Sequence, residues 1–227
     1  MNTIFSLPMD IYKNRRLVAK LAKNDFKTRY AGSYLGIVWA FIQPVITILV
    51  YWFVFSVGFR SGTGDLGVPF VLYLVAGIVP WFFFQDALMG GTNSLLEYNY
   101  LVKKVVFNIS VLPVVKIISA MFVHAFFVLF TIILYAAYGK LPDLYYLQII
   151  YYSVCVFILV LGLSYATSAI VIFFRDLTQI INIVLQVGVW LTPIMWQVEQ
   201  FSGSSFYPIL CKLVKWSGNF KQNMLSS

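Results

Sequence analysis

Residues 35–59 read LGIVWAFIQPVITILVYWFVFSVGF and contain no charged side chain. A helix rises about 1.5 Å per residue, so the run exceeds the roughly 20 residues that cross a hydrocarbon core about 30 Å thick. Lipid offers no partner to backbone N–H and C=O groups, so the segment must pair them internally, as a helix. Four more uncharged runs follow: Val68–Gln85, Ile117–Gly139, Leu144–Phe174 and Leu177–Val198. The first of these four is marginal in length. Taken to their natural breaks, the five runs predict spans at 35–59, 68–89, 113–139, 144–173 and 177–198. The expected fold class is an all-α membrane protein with five transmembrane helices.

Composition agrees. The chain has 227 residues, of which 61% are hydrophobic and 11% charged, with a mean hydropathy of +0.85. Soluble domains average about 25% charged residues. The net charge of +8 would point to nucleic acid in a soluble protein. Here the basic residues gather at predicted membrane borders, which points instead to topology and anionic headgroups, with no nucleic-acid partner. Two cysteines, Cys155 and Cys211, have no spacing that makes a zinc site or a disulfide framework. No cleavable signal peptide is visible ahead of the first apolar run.

Lys13, Arg15, Arg16, Lys20, Lys23, Lys27 and Arg29 precede the first span. The positive-inside rule places that end in the cytoplasm. Alternation then puts loops near 91–116 and 175–176 inside, carrying Lys103, Lys104, Lys116 and Arg175. The outer loops near 60–67 and 140–143 border only Arg60 and Lys140. Residues 1–34 therefore read as a cytoplasmic N-terminus, 35–198 as the transmembrane domain and 199–227 as an external loop and tail.

Within the N-terminus, 11–31 carries Arg16, Lys20, Lys23 and Lys27 on one helical stripe, opposite Val18, Leu21, Ala22 and Phe26. Two readings stand: an amphipathic helix lying among headgroups, or one packed on a partner subunit. Gly90-Gly91 reads as a break after the second span, and Pro113 as a first-turn residue of the third. Between them, Leu95–Phe107 has the pattern of a short amphipathic helix on the cytoplasmic face.

What is missing also narrows function. No Gly-x-x-x-x-Gly-Lys-Ser/Thr phosphate loop occurs, so nucleotide hydrolysis by that route is excluded. Ion-coupled transporters need buried titratable or coordinating groups, and membrane enzymes need a nucleophile, a metal cluster or an acid–base set. The spans offer little beyond Asp86, near the inner end of its span, and His124, whose expected partner is a hydroxyl or carbonyl. The pattern is that of a conduit powered from elsewhere. Aromatic residues are abundant, with 15 Tyr, 21 Phe and 6 Trp. Tyr51, Trp52, Phe53, Phe55 and Phe59 crowd the outer half of the first span, and Trp81 follows Pro80 in the second. They read either as interface anchors and packing or as faces on which sugar rings stack.

Several segments together resemble a known family. Lys23-Asn24-Asp25-Phe26-Lys27-Thr28-Arg29-Tyr30, then Gly32-Ser33, Leu35-Gly36, Trp39 and Pro44, are similar to the entry into the first span of permease subunits of type-2 ABC exporters for polysaccharides (O-antigen, capsule, teichoic acid). Leu74-Val75-Ala76-Gly77-Ile78-Val79-Pro80-Trp81-Phe82-Phe83 resembles the second span of that family. Leu101-Val102-Lys103-Lys104-Val105-Val106-Phe107 with Leu112-Pro113 resembles its coupling segment. Phe173-Phe174-Arg175-Asp176-Leu177 and Leu191-Thr192-Pro193-Ile194 are similar to its later turns. The likeness covers about residues 15–200.

This resemblance implies a homodimer in the inner membrane of a bacterium, each copy contacting a separate ABC ATPase that holds the ATP and Mg²⁺. A polysaccharide or lipid-linked glycan passes between the halves. It assigns Asn99, Leu101, Lys103 and Lys104 to ATPase coupling and Asp25, Arg29 and Tyr30 to the interface helix. Arg175 and Asp176 fall at a cytoplasmic turn, as a structural ion pair or a substrate contact. It also implies that Tyr51, Trp52, Phe55, Phe59 and Trp81 line the channel. Two features depart from the family. Asn108-Ile109-Ser110 stands where a proline and a charged pair are common, and the family expects a sixth span where 199–227 matches nothing. A truncated chain or a short paralogue are the two readings of that tail. The alternatives for function are a type-2 ABC permease for a drug or lipid, or a membrane-integral enzyme of glycan assembly.

Overall fold

The computed structural model describes residues 14–58, 69–98, 109–140, 146–192 and 194, and among these all regular structure is helical. In order the helices are α1 (Arg15–Arg29), α2 (Trp39–Phe53), α3 (Phe70–Glu97), α4 (Leu112–Ala137), α5 (Leu147–Val171) and α6 (Leu177–Leu191). A 3-10 turn at Gly36–Val38 leads into α2 and a π-helical turn at Val54–Gly58 extends it; another 3-10 turn, Ile109–Val111, leads into α4. Pro113 occupies the first turn of α4, where its missing N–H is no loss.

Gly36–Gly58, Phe70–Glu97, Ile109–Ala137 and Leu147–Val171 are long and apolar enough to cross a membrane. Five crossings were expected, and the fifth, 177–198, is described only over the shorter apolar helix α6, Leu177–Leu191. It has 15 residues, about 22 Å of helix against a core of about 30 Å. It stops at Thr192, whose ψ of 136° is extended, the conformation favoured for a residue that precedes a proline in sequence. The expected fifth span ran through that proline to 198, and residues 193 and 195–198 lie outside the described residues.

α3 is the centre of the bundle. Ile48 of α2, Leu74, Val75 and Ile78 of α3, Phe127 of α4 and Val189 of α6 form one buried cluster. A second joins Phe83 and Ala87 of α3 to Ile117 and Ala120 of α4, Val160 of α5 and Leu185 of α6. Between lipid-facing helices such contacts act through close packing rather than removal from water.

Close packing explains a correction to the sequence reading. Gly90-Gly91 does not break the chain: α3 runs through both to Glu97. A Cβ at Gly91 would lie 2.6 Å from the Cβ of Ser164 on α5. The glycine therefore marks where two backbones approach, the small-residue contact common between membrane helices. One residue on, the hydroxyls of Thr92 and Thr167 hydrogen bond at 2.7 Å across the same seam.

α1 packs along its apolar edge on this chain's own bundle. Its apolar edge, Val18 and Ala22, is buried against Val111, Val114 and Val115 at the start of this chain's own α4. Arg16, Lys20, Lys23 and Lys27 stay exposed on the other side.

Candidate functional site

Asp25 and Arg29 are four apart on α1 and so share a face. That face meets α3 and α4 through two groups of charges. Lys116 Nζ donates to Asp25 Oδ1 at 2.6 Å and also to Glu97 Oε2, while the Tyr98 hydroxyl donates to Asp25 Oδ1 at 2.7 Å. Asp25 is only 4% exposed and Lys116 5%. Further along, Arg29 Nη1 donates to both oxygens of Asp86, at 2.7 and 2.8 Å. Burial alone would push the Asp25 carboxyl up; the hydrogen bonds from Lys116 and Tyr98 and the ammonium charge outweigh it and hold the carboxyl below its ordinary value. Burial likewise works against the Arg29 cation, and the Asp86 carboxylate more than compensates, raising its pKa. Asp25 and Arg29 are thus favoured in their charged forms and serve as anchors.

Sequence reasoning placed Asp25 and Arg29 on the interface helix and missed their partners. Lys116 lies 91 residues from Asp25 and Asp86 lies 57 from Arg29, so no local spacing could reveal either pair. One signal was present: a lysine in the second turn of an apolar span requires a buried partner.

Two cavities open beside α3. A groove of about 430 Å³ lies between α2, α3 and α4, and its lining includes Trp39, Gln43, Tyr51, Gln85 and Asp86, with Tyr30 and His124. A cavity of about 310 Å³ on the other side of α3 is lined by Trp81, Phe84, Val128, Tyr152 and Cys155, and again by His124. His124 is thus part of the wall between them. Its Nε2 lies 3.1 Å from the Ser153 hydroxyl and its ring stacks on Phe83 at 4.6 Å, so the expected hydroxyl partner is present.

The aromatic residues assigned to a channel are dispersed rather than gathered into one tier. Tyr51 lines the groove and meets Trp190 edge-on, ring centres 6.3 Å apart. Phe55 stacks on Phe70 at 5.8 Å. Trp81 lines the other cavity and presses on α6, where a Cβ at Gly188 would come within 2.9 Å of its ring. Trp52 is exposed. Tyr30 packs edge-on to Phe26 at 5.9 Å. Arg175 and Asp176 are exposed in the turn between α5 and α6, and no ion pair joins them; the Thr178 hydroxyl nearby donates to Asn93 Oδ1 at 2.9 Å, tying α6 to α3. Phe59, Asn99, Leu101, Lys103 and Lys104 lie outside the described residues. Among the described residues no group of three or more His, Cys, Asp or Glu is placed to hold a metal ion.

Residues 16–214 match a protein family described as ABC-2 type transporter. The chain is 28% identical over 210 residues to an O-antigen export system permease protein RfbA of Myxococcus xanthus, covering 91% of this chain and 78% of that one. It is also 27% and 24% identical to two Klebsiella pneumoniae proteins of the same name, covering 92% of this chain and 82% of each.

Proposed function

The chain belongs to the ABC-2 type transporter family, and on that premise we propose that it is the permease subunit of an ATP-driven exporter. Its cargo is a polysaccharide or lipid-linked glycan, moved out across the cytoplasmic membrane of a bacterium. The likeness to O-antigen export permeases along 91% of the chain carries this reading. The sequence has no phosphate loop, so ATP and Mg²⁺ are assigned to a separate ABC ATPase. Two copies of the permease frame the path, and the cationic segment before α2 fixes the N-terminus in the cytoplasm.

Coupling falls to Asn99, Leu101, Lys103 and Lys104, with Asp25, Arg29 and Tyr30 on the interface helix. The salt-bridge seam supports this. Glu97 and Tyr98, the residues just before the coupling segment, are bound through Lys116 and Asp25 to α1, so a push on that segment reaches two helices at once. Replacing Leu101, Lys103 and Lys104 together by alanine is expected to abolish co-purification with the ATPase while the permease stays in the membrane. Retained co-purification would remove these residues from the contact.

The aromatic path is proposed to run past Tyr51, Trp52, Phe55, Phe59 and Trp81. Trp52 is the clean test because it is exposed. Trp52→Ala should lower surface polysaccharide several-fold with the protein level unchanged. Trp81→Ala would also open a cavity against α6, with a stability cost of about 3–5 kcal/mol. Unchanged export by Trp52→Ala would take that side chain out of the path.

A further inference from the structure

Gln43 on α2 and Gln85 on α3 are polar amides in spans that otherwise carry little polarity, and both line the groove between α2, α3 and α4. No side-chain hydrogen bond joins either amide to a described residue. A polar side chain at membrane depth is expensive unless it faces a partner or a watered cavity, and it is a functional candidate by default. Aromatic side chains, Trp39, Tyr51 and Phe82 among them, line the same groove. Its volume of about 430 Å³ falls within the roughly 300–1,000 Å³ of small-ligand sites.

From this arrangement we propose that the groove is a binding subsite for a neutral sugar unit of the transported chain, with Gln43 and Gln85 reading its hydroxyls and the aromatic faces supporting its apolar C–H surface. This rests on the glycan-export reading above. The chemistry is specific to that class of ligand. A carboxamide offers two donors and one acceptor with two lone pairs, the complement of adjacent hydroxyls that both give and accept. Asp86 adds carboxylate acceptors at the α1 end. Its charge is already met by Arg29 at 2.7 and 2.8 Å, so among the described lining residues no free charge is left to draw a phosphate or a carboxylated ligand. A lipid chain is disfavoured too, because it would bury both amides without partners. The apolar cavity on the far side of α3, lined by Trp81, lacks these amides.

The test uses cells in which the chain has been deleted and variants are supplied back, with surface polysaccharide measured per ATPase-bound permease. The double substitution Gln43→Leu, Gln85→Leu keeps side-chain bulk and removes the donors. It should lower export about ten-fold at unchanged complex level, with Gln43→Asn, Gln85→Asn intermediate. Should the leucine pair fail to assemble, Gln43→Ala and Gln85→Ala singly carry the same expectation of reduced export per complex. If the deletion abolishes surface polysaccharide and the substituted chains restore it in full, the subsite is overturned while the export function stands. If the deletion leaves surface polysaccharide untouched, the export reading itself fails and the subsite with it.

Discussion

Methionine in place of Lys116 will free α1 from the bundle and abolish export. Among the described residues the Lys116 ammonium is the one cation in an ion pair with the buried Asp25 carboxylate, at 2.6 Å. Removing one member of a buried ion pair strands its partner's charge, at a cost of about 3–5 kcal/mol. Glu97 suffers less, since its side chain is 53% exposed and can be hydrated. Adding Asp25→Asn to Lys116→Met takes away the stranded charge, so the double variant should be closer to wild type in stability than Lys116→Met alone. Protease accessibility of α1 in membrane vesicles gives the readout. Equal protection of α1 in Lys116→Met and wild type would show that the pair does not hold the helix. An intact seam with lost export in Lys116→Arg would instead separate docking from coupling.

Alanine at Gly91 is the second large effect. Its Cβ would lie 2.6 Å from Ser164 Cβ, and a short serine side chain has no distant end to swing aside. Overpacking costs about 1–3 kcal/mol, and the top of that range applies because two backbones must separate. Thr92 and Thr167 would lose their 2.7 Å hydrogen bond as α3 and α5 part. The compensating change is Ser164→Gly, which empties the space and leaves the nearest atom, Ser164 Cα, at 3.8 Å. Ser164 Oγ has no hydrogen-bond partner among the described residues, so its removal costs little. The Gly91→Ala, Ser164→Gly double variant should regain most of the lost thermal stability in detergent, a coupling of about 0.5–3 kcal/mol. Additive destabilisation would show that the clash lies elsewhere.

The helical class and the long apolar helices were legible because apolar run length follows bilayer thickness. α4 starts one residue before its proline and α5 falls inside its uncharged run for that reason. Boundaries governed by tertiary contact were not legible. Gly90-Gly91 has the composition of a turn, yet it sits in mid-helix because Ser164 needs the space. Thr192 could have been read as an end, since a residue before proline resists helix, but the uninterrupted apolar composition to Val198 masked it. At the candidate site, the stripe of α1 located Asp25 and Arg29, whereas Lys116, Glu97 and Asp86 come together only through folding over long sequence separations. Aromatic counts identified a chemistry and not a place: Tyr51 and Trp81 lie in different cavities, and the amides Gln43 and Gln85 that mark the more polar one were overlooked as single residues in apolar surroundings.

The proposed dependence of this chain on outside power is tested most directly in sealed vesicles made from the purified permease, with and without the ABC ATPase proposed as its partner. Glycan added outside, on the nucleotide side, should reach the lumen only when both subunits and ATP are present, and the permease alone should hydrolyse no ATP. Glycan uptake without the ATPase, or nucleotide turnover by the isolated chain, would contradict it.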